Sequence, residues 1–328
     1  MICTRAAGSA GAGSAWIPAL DIGGTHVTAG LVDLAERQVR IAEGWRRPLS
    51  PDGSADDIVD AVVAAALATG AGPGRHWAVA VPGPFDYEAG IALFHGVGKF
   101  EALHGFDLRA ALTSALPEPA SVTFVNDADA FLLGEYTAGA ALRHERAVGI
   151  TLGSGVGSCF LAGGKVVADG PDVPPQGRMD LLTHDGRPLE DTVSRRAIRA
   201  AYADVTGSPG GPSQPDVKDL DVKGPDVKEI AERARAADAA AQQVLDHAMT
   251  ALGLAVAPWL ARFQATVLVV GGSLIGSWDL LARPLQAGIA LAEPAVAWRL
   301  GVVRALMPLQ APLLGAAVGA EQAWKSKD

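Results

Sequence analysis

The chain has 328 residues, with 27 Lys and Arg against 36 Asp and Glu, a formal charge of −9, and 49% hydrophobic against 19% charged residues. At roughly 100–200 residues per domain this length implies two domains, each large enough to bury its own core. An acidic chain with no basic stripe repels phosphodiester backbones, so a dedicated nucleic-acid binder is excluded as a first reading. Two cysteines, Cys3 and Cys159, make neither a disulfide framework nor a four-thiolate zinc site. Residues 1–16 lack the apolar run of a signal peptide and read as a flexible tail. No stretch of about eighteen uninterrupted apolar residues suggests a membrane span. The expectation is a soluble, cytoplasmic protein.

In chain order, Ile17 to Leu34 reads as two apolar strands joined at a Gly-Gly turn, a glycine-turned hairpin. Asp56 to Leu67 carries apolar residues at helical spacing behind an acidic first turn, and TGAGPG ends it. His76 to Val81 is a short buried strand that runs into Pro82-Gly83-Pro84. A helix near Leu108–Leu116 and a strand at Ser121–Val125 follow. That strand delivers Asn126, Asp127 and Asp129 at its carboxyl end, where open α/β sheets face their ligand crevice. Residues 131–141 read as helix. Arg146 to Val167 then repeats the first device: apolar strand, glycine turn at Gly153, Gly155 and Gly157, returning strand.

One hairpin design used twice implies a duplicated architecture with a cleft between two similar halves. Residues 205–228 are rich in Gly, Pro, Asp and Lys, with Asp-Val-Lys three times, and read as a low-complexity surface loop. Glu229 to Phe263 has the periodicity of two long helices. Ala265 to Val270 is a buried strand followed by Gly271-Gly272-Ser273 and a helix from Leu280 to Leu291.

Phosphate groups need several N–H donors around a concave backbone, and glycine lets the chain approach without a Cβ in the way. Gly23-Gly24-Thr25, Gly153-Ser154-Gly155 and Gly271-Gly272-Ser273 are three such turns, each after an apolar strand. Any one of them is as readily a plain tight turn. Asp127 has two readings of equal weight from its residues alone: a helix N-cap, or a desolvated carboxylate able to accept a hydroxyl proton. Asp21 is either a turn-capping residue or an approach to Mg²⁺.

These stretches resemble the ROK sugar kinases and regulators, which share the two-domain actin-like ATPase (ribonuclease H-like) fold. The matching segments are ALDIGGTHVTAGLVD (19–33), AVPGPFD (80–86), FVNDADAFLLGE (124–135), GITLGSGVGSCFLAGGKVVADG (149–170) and VVGGSL (269–274). They occur in family order. The resemblance implies a smaller α/β domain of residues 17–125 plus 312–328 and a larger one of 126–311, hinged around the cleft. It implies ATP and Mg²⁺ as cofactors, with Asp127 as catalytic base and Asp21 near Mg²⁺, in contact through water. Gly23, Gly24, Thr25, Thr151, Gly153, Ser154 and Gly155 would hold the phosphates, and Gly271, Gly272 and Ser273 the adenosine. Pro82, Gly83, Asn126, Gly155, Arg178 and Glu190 would line the sugar site together with Asp127.

Two departures stand out. Zinc-binding ROK proteins carry a Glu-x-Gly-His segment and nearby cysteines; here the stretch reads Pro175-Gln176-Gly177-Arg178, and only His184 follows before Glu190. With about four N or S ligands needed, the structural zinc is expected to be absent. The segment 91–105 also lacks the Asn expected before its aromatic, and offers His95 and Lys99, which read first as ordinary exposed polar residues.

The implied activity is phosphorylation of the primary 6-hydroxyl of a hexose, glucose-type or an amino sugar such as kanosamine. Kanosamine 6-kinases and C7-cyclitol 7-kinases of antibiotic biosynthesis in the family share this situation. Polyphosphate is disfavoured as donor because no basic channel is present. A noncatalytic sugar or nucleotide sensor is the reading of another class; a ROK regulator would need a helix-turn-helix domain, for which the twenty residues before Asp21 are too few. ROK kinases are often homodimers, and no exposed stripe in this sequence marks a dimer face.

Overall fold

The computed structural model describes residues 16–207 and 224–325. The tail at 1–15 and the centre of the Asp-Val-Lys loop lie outside the described residues.

The first half begins with β1 (Ile17–Ile22) and β2 (His26–Asp33), antiparallel, flanked by β3 (Gln38–Arg40) and β4 (Arg46–Pro48), which both pair with β2. α1 (Ala55–Ala68) starts on a capping box: the Ser54 hydroxyl accepts from the Asp57 N–H, and the Asp57 carboxylate accepts from the Ser54 N–H. β5 (His76–Val81) lies parallel to β1; a small hairpin of β6 (Phe85–Asp86) and β7 (Ile91–Ala92) follows. α2 (Leu108–Ala115) leads to β8 (Ser121–Asn126), parallel to β5, and then to α3 (Asp127–Ala138). The sheet order is β3-β2-β1-β5-β8.

The second half repeats it. β9 (Arg146–Leu152) and β10 (Val156–Ala162) form the second glycine hairpin, with β11 (Lys165–Val166) at the edge. A hairpin of β12 (Thr183–His184) and β13 (Arg187–Pro188) precedes α4 (Glu190–Val193) and α5 (Arg195–Thr206). Next come α6 (Val227–Arg235), α7 (Ala239–Arg262), β14 (Val267–Gly271), α8 (Trp278–Ala292), α9 (Pro294–Ala297) and β15 (Gly301–Arg304). The order is β11-β10-β9-β14-β15, antiparallel at the hairpin and parallel beyond it, the same pattern as the first sheet. The duplication implied by the repeated hairpin is therefore real at the level of strand order.

Three expectations change. Helical periodicity at 229–263 resolves into one nine-residue helix, α6, and one of 24 residues, α7, because Ala236 to Asp238 turn the chain and Asp238 caps the second helix. The low-complexity loop is narrower than its composition, since Val205 and Thr206 complete α5 and Val227 and Lys228 open α6. α3 starts at Asp127, four residues earlier than its apolar pattern, because Asn126 caps it. α7 is long and apolar enough to cross a membrane by length and composition, with a mean hydropathy of 1.3 over its best window. Its buried residues, among them Leu245, Met249 and Leu252, belong to the core of the second half.

The last helix, α10 (Ala311–Lys325), returns to the first sheet and covers Ala19, Ala78 and Ala80. It crosses α3 at glycines: a methyl on Gly134 would overlap the Ala311 backbone, and one on Gly315 the Ala130 carbonyl. Gly315→Ala is therefore expected to cost at least about 3 kcal/mol of stability, at the upper end for overpacking, because backbone cannot move aside as a side chain does. Gly72, around which a methyl meets open space, is the control. Its change to Ala should stay within about 0.5 kcal/mol of wild type in the same denaturation experiment.

Candidate active site

The three glycine turns meet along one rim. In the first, the Gly23 N–H donates to the His26 carbonyl at 2.9 Å and leaves Gly24 and Thr25 at the tip. In the second, the Gly153 N–H donates to the Gly155 carbonyl at 3.1 Å. A methyl on Gly24 would stand 3.9 Å from the Ser154 Oγ, so the two tips face each other across the cleft. A methyl on Gly153 would lie 3.4 Å from the Ser273 Oγ, which joins the third turn to the second. Gly271 packs under the Phe131 ring and Gly272, at φ +88°, against the Leu152 backbone, so neither position has room for a side chain. Thr151 pairs with Gly157 across the hairpin and with Gly271 in β14, and its hydroxyl occupies the space a side chain at 157 would need. Bare backbone at glycine turns of this kind can approach phosphate oxygens closely.

Carboxylates form the floor. Asp21 and Asp127 stand at the carboxyl ends of β1 and β8, with β5 between them. Asn126 caps α3, its Oδ1 accepting from the Ala128 and Asp129 N–H groups at 3.0 and 3.2 Å. Asp127 is thereby released from the capping role its position suggested, and its Oδ1 accepts the Ala128 N–H at 2.8 Å, with its own N–H as a second backbone donor to the carboxylate. Burial raises the Asp127 carboxyl above its ordinary range; the Lys99 charge and the Ala128 N–H oppose that. Asp21 is pushed up to about 7, by burial first and then by the charge of Asp127, with Arg46 opposing. Asp129, in the next turn of the site, is raised to about 6 by burial and the Asp127 charge, against a hydrogen bond from the Cys159 thiol.

Arg46 reaches Asp21 for a simple reason of register. Asp21 pairs with Thr28 and Thr28 with Arg46, so all three lie in one row across β1, β2 and β4.

At the other end, Asn126 Nδ2 donates to the Tyr87 Oη at 2.8 Å, which leaves one amide hydrogen for a ligand. Tyr87 in turn donates to the Val81 carbonyl at 3.3 Å and sits 3.5 Å from where a methyl on Gly83 would be, fixing the turn that begins at Pro82. Glu190 opens α4 beside Gly155: a methyl there would be 3.2 Å from its Oε2, and its carboxylate accepts the Val156 N–H. Burial raises the Glu190 carboxyl. Arg178 does not present a free fork. Its Nε and Nη2 bond Asp180 at 3.1 and 2.5 Å, so much of its donor capacity is already used. Lys99 departs from its reading as a surface residue: it is half-buried and its charge acts on both Asp127 and Glu190. His95 is exposed and stacks on His104, with ring centroids 5.2 Å apart.

Tyr87, Arg46 and Asp180 escape a reading of the sequence: Tyr87 enters through Asn126 and Arg46 through the strand row to Asp21, both distant in sequence, while Asp180 lies two residues from Arg178 in a segment with no motif to mark it. Asp129 stands where the sequence places it, in the strand-to-helix turn beside Asp127.

The matching family model is the ROK family, over residues 17–323. The chain belongs to the ROK family. It is 26% identical over 317 residues to a glucokinase of Thermotoga maritima, an alignment covering 91% of this chain and 95% of that protein. It is 27% identical over 302 residues to a glucokinase of Halalkalibacterium halodurans, covering 86% and 88%. Among solved structures, the ROK family glucokinase from Streptomyces griseus, in complex with glucose and AMPPNP, superposes with a TM-score of 0.73 at 24% identity, covering 94% of this chain and all of that one. The two-domain actin-like ATPase fold of this ROK chain follows from that likeness and from its two sheets of one order.

No group of three or more His, Cys, Asp or Glu able to hold a metal ion is present among the described residues. Mg²⁺ fits the floor nonetheless, since it is ordinarily bound by one or two carboxylates plus phosphate oxygens and water. Asp21 offers that donor chemistry.

The Asp21 shift has a measurable consequence without any ligand. Its folded value of about 7 exceeds its ordinary 3.8, so the protonated carboxyl favours folding below about pH 4 and that contribution is lost as the pH rises to 7. Asp21→Asn should therefore melt at least about 2 °C above wild type at pH 8. The gap should shrink towards pH 5; an equal gap at both values would show that Asp21 is not the titrating group.

Proposed function

We propose that this ROK chain transfers the terminal phosphoryl group of ATP to the primary 6-hydroxyl of a hexose, with Asp127 as general base. Its activity as an ATP-dependent sugar kinase is supported by family membership and by glucokinase relatives aligned along most of its length. The observation that carries the residue-level reading is the place of Asp127 at the carboxyl end of β8, where Asn126 takes over the capping of α3 and the Asp127 carboxylate is bonded by the Ala128 and its own N–H groups. In this reading residues 17–125 with 312–328 and residues 126–311 are the lobes that close over the substrates and exclude water.

Each group then has one task. Gly23, Gly24 and Thr25 from one side and Thr151, Gly153, Ser154 and Gly155 from the other hold the phosphates by backbone N–H and hydroxyl donors. Gly271, Gly272 and Ser273 carry the adenosine. Asp127 accepts the proton of the attacking hydroxyl, whose oxygen bonds to the terminal phosphorus as the bond to the bridging oxygen breaks and ADP leaves. Mg²⁺, when bound near Asp21, would supply neutralisation of the phosphate charge. Asn126 and Glu190 hold sugar hydroxyls.

The acceptor end favours an altered hydroxyl pattern. Where zinc-binding relatives offer Glu-x-Gly-His, this chain offers an Arg178–Asp180 ion pair, in which the carboxylate engages much of the guanidinium and no imidazole is present. That points to an amino sugar such as kanosamine, or to a C7-cyclitol phosphorylated at its 7-hydroxyl, ahead of unmodified glucose. Such a substrate belongs to natural-product biosynthesis, carried out in the cytoplasm without nucleic-acid or membrane partners.

Asp127→Asn should keep ATP and sugar binding while lowering turnover at least about a hundredfold, the range for losing a general base. Near-normal turnover in that variant removes Asp127 from the mechanism, and sugar binding without any phosphorylated product in the wild type favours the sensor reading. Elemental analysis of the purified protein should find no stoichiometric zinc, since the 175–190 segment holds His184 without thiolates. One zinc per chain would place ligands there that the sequence pattern does not reveal.

A further inference from the structure

The loop between β7 and α2 has one feature that the phosphate turns and the base do not explain. The Glu101 carboxylate accepts three successive backbone N–H groups, from Gly96 at 3.0 Å, Val97 at 2.7 Å and Gly98 at 2.9 Å. Immediately after them, Phe100 is buried in the first-half core at φ +57°, its N–H bonded to the Pro51 carbonyl at 2.7 Å and its ring 5.3 Å from that of Phe94. Lys99 is the single residue between these two anchors. Its Cα is held on both sides, and its side chain is half-buried.

Three segments distant in sequence converge there. Asp127 comes from the end of β8 and Glu190 from the start of α4, in the second half of the chain; both feel the charge of Lys99. Yet among the described residues no hydrogen bond or ion pair within 4.0 Å engages the Lys99 ammonium. An ammonium whose charge reaches two carboxylates and closes on neither keeps its three hydrogens to donate near two acceptors. A polyol fits that arrangement, since each hydroxyl both donates and accepts. A carboxylate-only site would have no donor for the ring or hydroxyl oxygens.

We propose that Lys99 is an acceptor-binding residue, its ammonium donating a hydrogen bond to an oxygen of the sugar or cyclitol held between Asp127 and Glu190. This rests on the kinase reading above and adds a determinant from the first half of the chain, so that the acceptor is gripped from both sides of the cleft. The clamp by Glu101 makes the contact specific, because a loop held by three N–H bonds loses little freedom when the substrate binds.

The test compares wild type, Lys99→Met, Lys99→Gln and Lys99→Arg in acceptor Kd by calorimetry and in KM for acceptor and for ATP, over a panel of glucose, mannose, kanosamine and a valiolone-type cyclitol. Lys99→Met and Lys99→Gln should weaken the preferred acceptor by about 10- to 100-fold, the range for a charge-assisted hydrogen bond. The KM for ATP should stay within twofold, the melting temperature should be unchanged, and Lys99→Arg should recover part of the loss. Acceptor affinity within twofold of wild type in both neutral variants overturns the proposal, as does an equal loss for acceptor and ATP. A wild type that binds an acceptor without phosphorylating it overturns the kinase reading alone, because the Kd comparison still decides Lys99. A wild type that binds no member of the panel overturns both.

Discussion

The crossing of α3 and α10 fixes the relation between the two halves, and with it everything in the cleft. Each helix is bound to a different sheet: α10 lies on Ala19, Ala78 and Ala80 of the first, while α3 sends Phe131 and Leu133 into the apolar cluster with Val267 and Val269 of the second. They touch backbone to backbone at Gly134 and Gly315, where no side chain fits. Close approach of this kind tolerates rotation about the contact far better than separation, since separating the helices opens a void that nothing else fills. Asp127 is the first residue of α3. Its position is therefore determined by β8 behind it and by the crossing ahead of it.

Glu135 secures the same region from within. It is fully buried, and its two carboxylate oxygens accept the N–H groups of Ala140, Leu306 and Met307. The first belongs to the exit from α3 and the other two to the approach to α10, so one side chain ties together both passages of the chain between the halves. A buried carboxylate is tolerable when backbone donors satisfy it, and here the same donors would otherwise be unpaired at a helix end and a loop. Asp127 and Glu135, two turns apart on one helix, thus show opposite uses of a buried acid. Glu135 accepts from two segments far apart in sequence and holds structure; Asp127 accepts N–H groups of its own first turn, which suits the base role proposed for it.

The repeated strand order was legible because it depends on local signals: apolar alternation, glycine at turns, and the interval between them. The same holds for the N-terminal end of α1, where Ser54 and Asp57 write the capping box directly into four residues. α3 starts earlier than its pattern suggests because its cap, Asn126, lies inside what reads as strand polarity, and its apolar residues run consecutively from Ala130 to Leu133 with no one-sided period to mark the first turn. The acceptor end was legible only in part. Asp127, Asn126 and Glu190 fell within family motifs, whereas Tyr87 acts through Asn126, 39 residues away, and Arg178 is altered by an Asp180 that no spacing rule singles out. Lys99 reads as a surface residue for the same reason: the Glu101 clamp beside it is a local contact, but the carboxylates that feel its charge come from the end of β8 and from α4.

The charge pattern of the cleft follows from these placements. Asp21, Asp127 and Asp129 bring three carboxyls into one desolvated floor, and burial raises each of them. A tetra-anionic nucleotide approaching such a floor is opposed by like charge unless donors and counter-charge meet it first. The fold supplies donors as backbone N–H groups at the facing turns, which carry no net charge and cost nothing in the overall balance of −9. Counter-charge enters sparingly and by direction, Arg46 along the strand row towards Asp21 and Lys99 from its clamped loop towards Asp127 and Glu190. With one cation at each end and Asp127, the proposed base, between them, a nucleotide and an acceptor that together span both ends are the pair that would neutralise the floor.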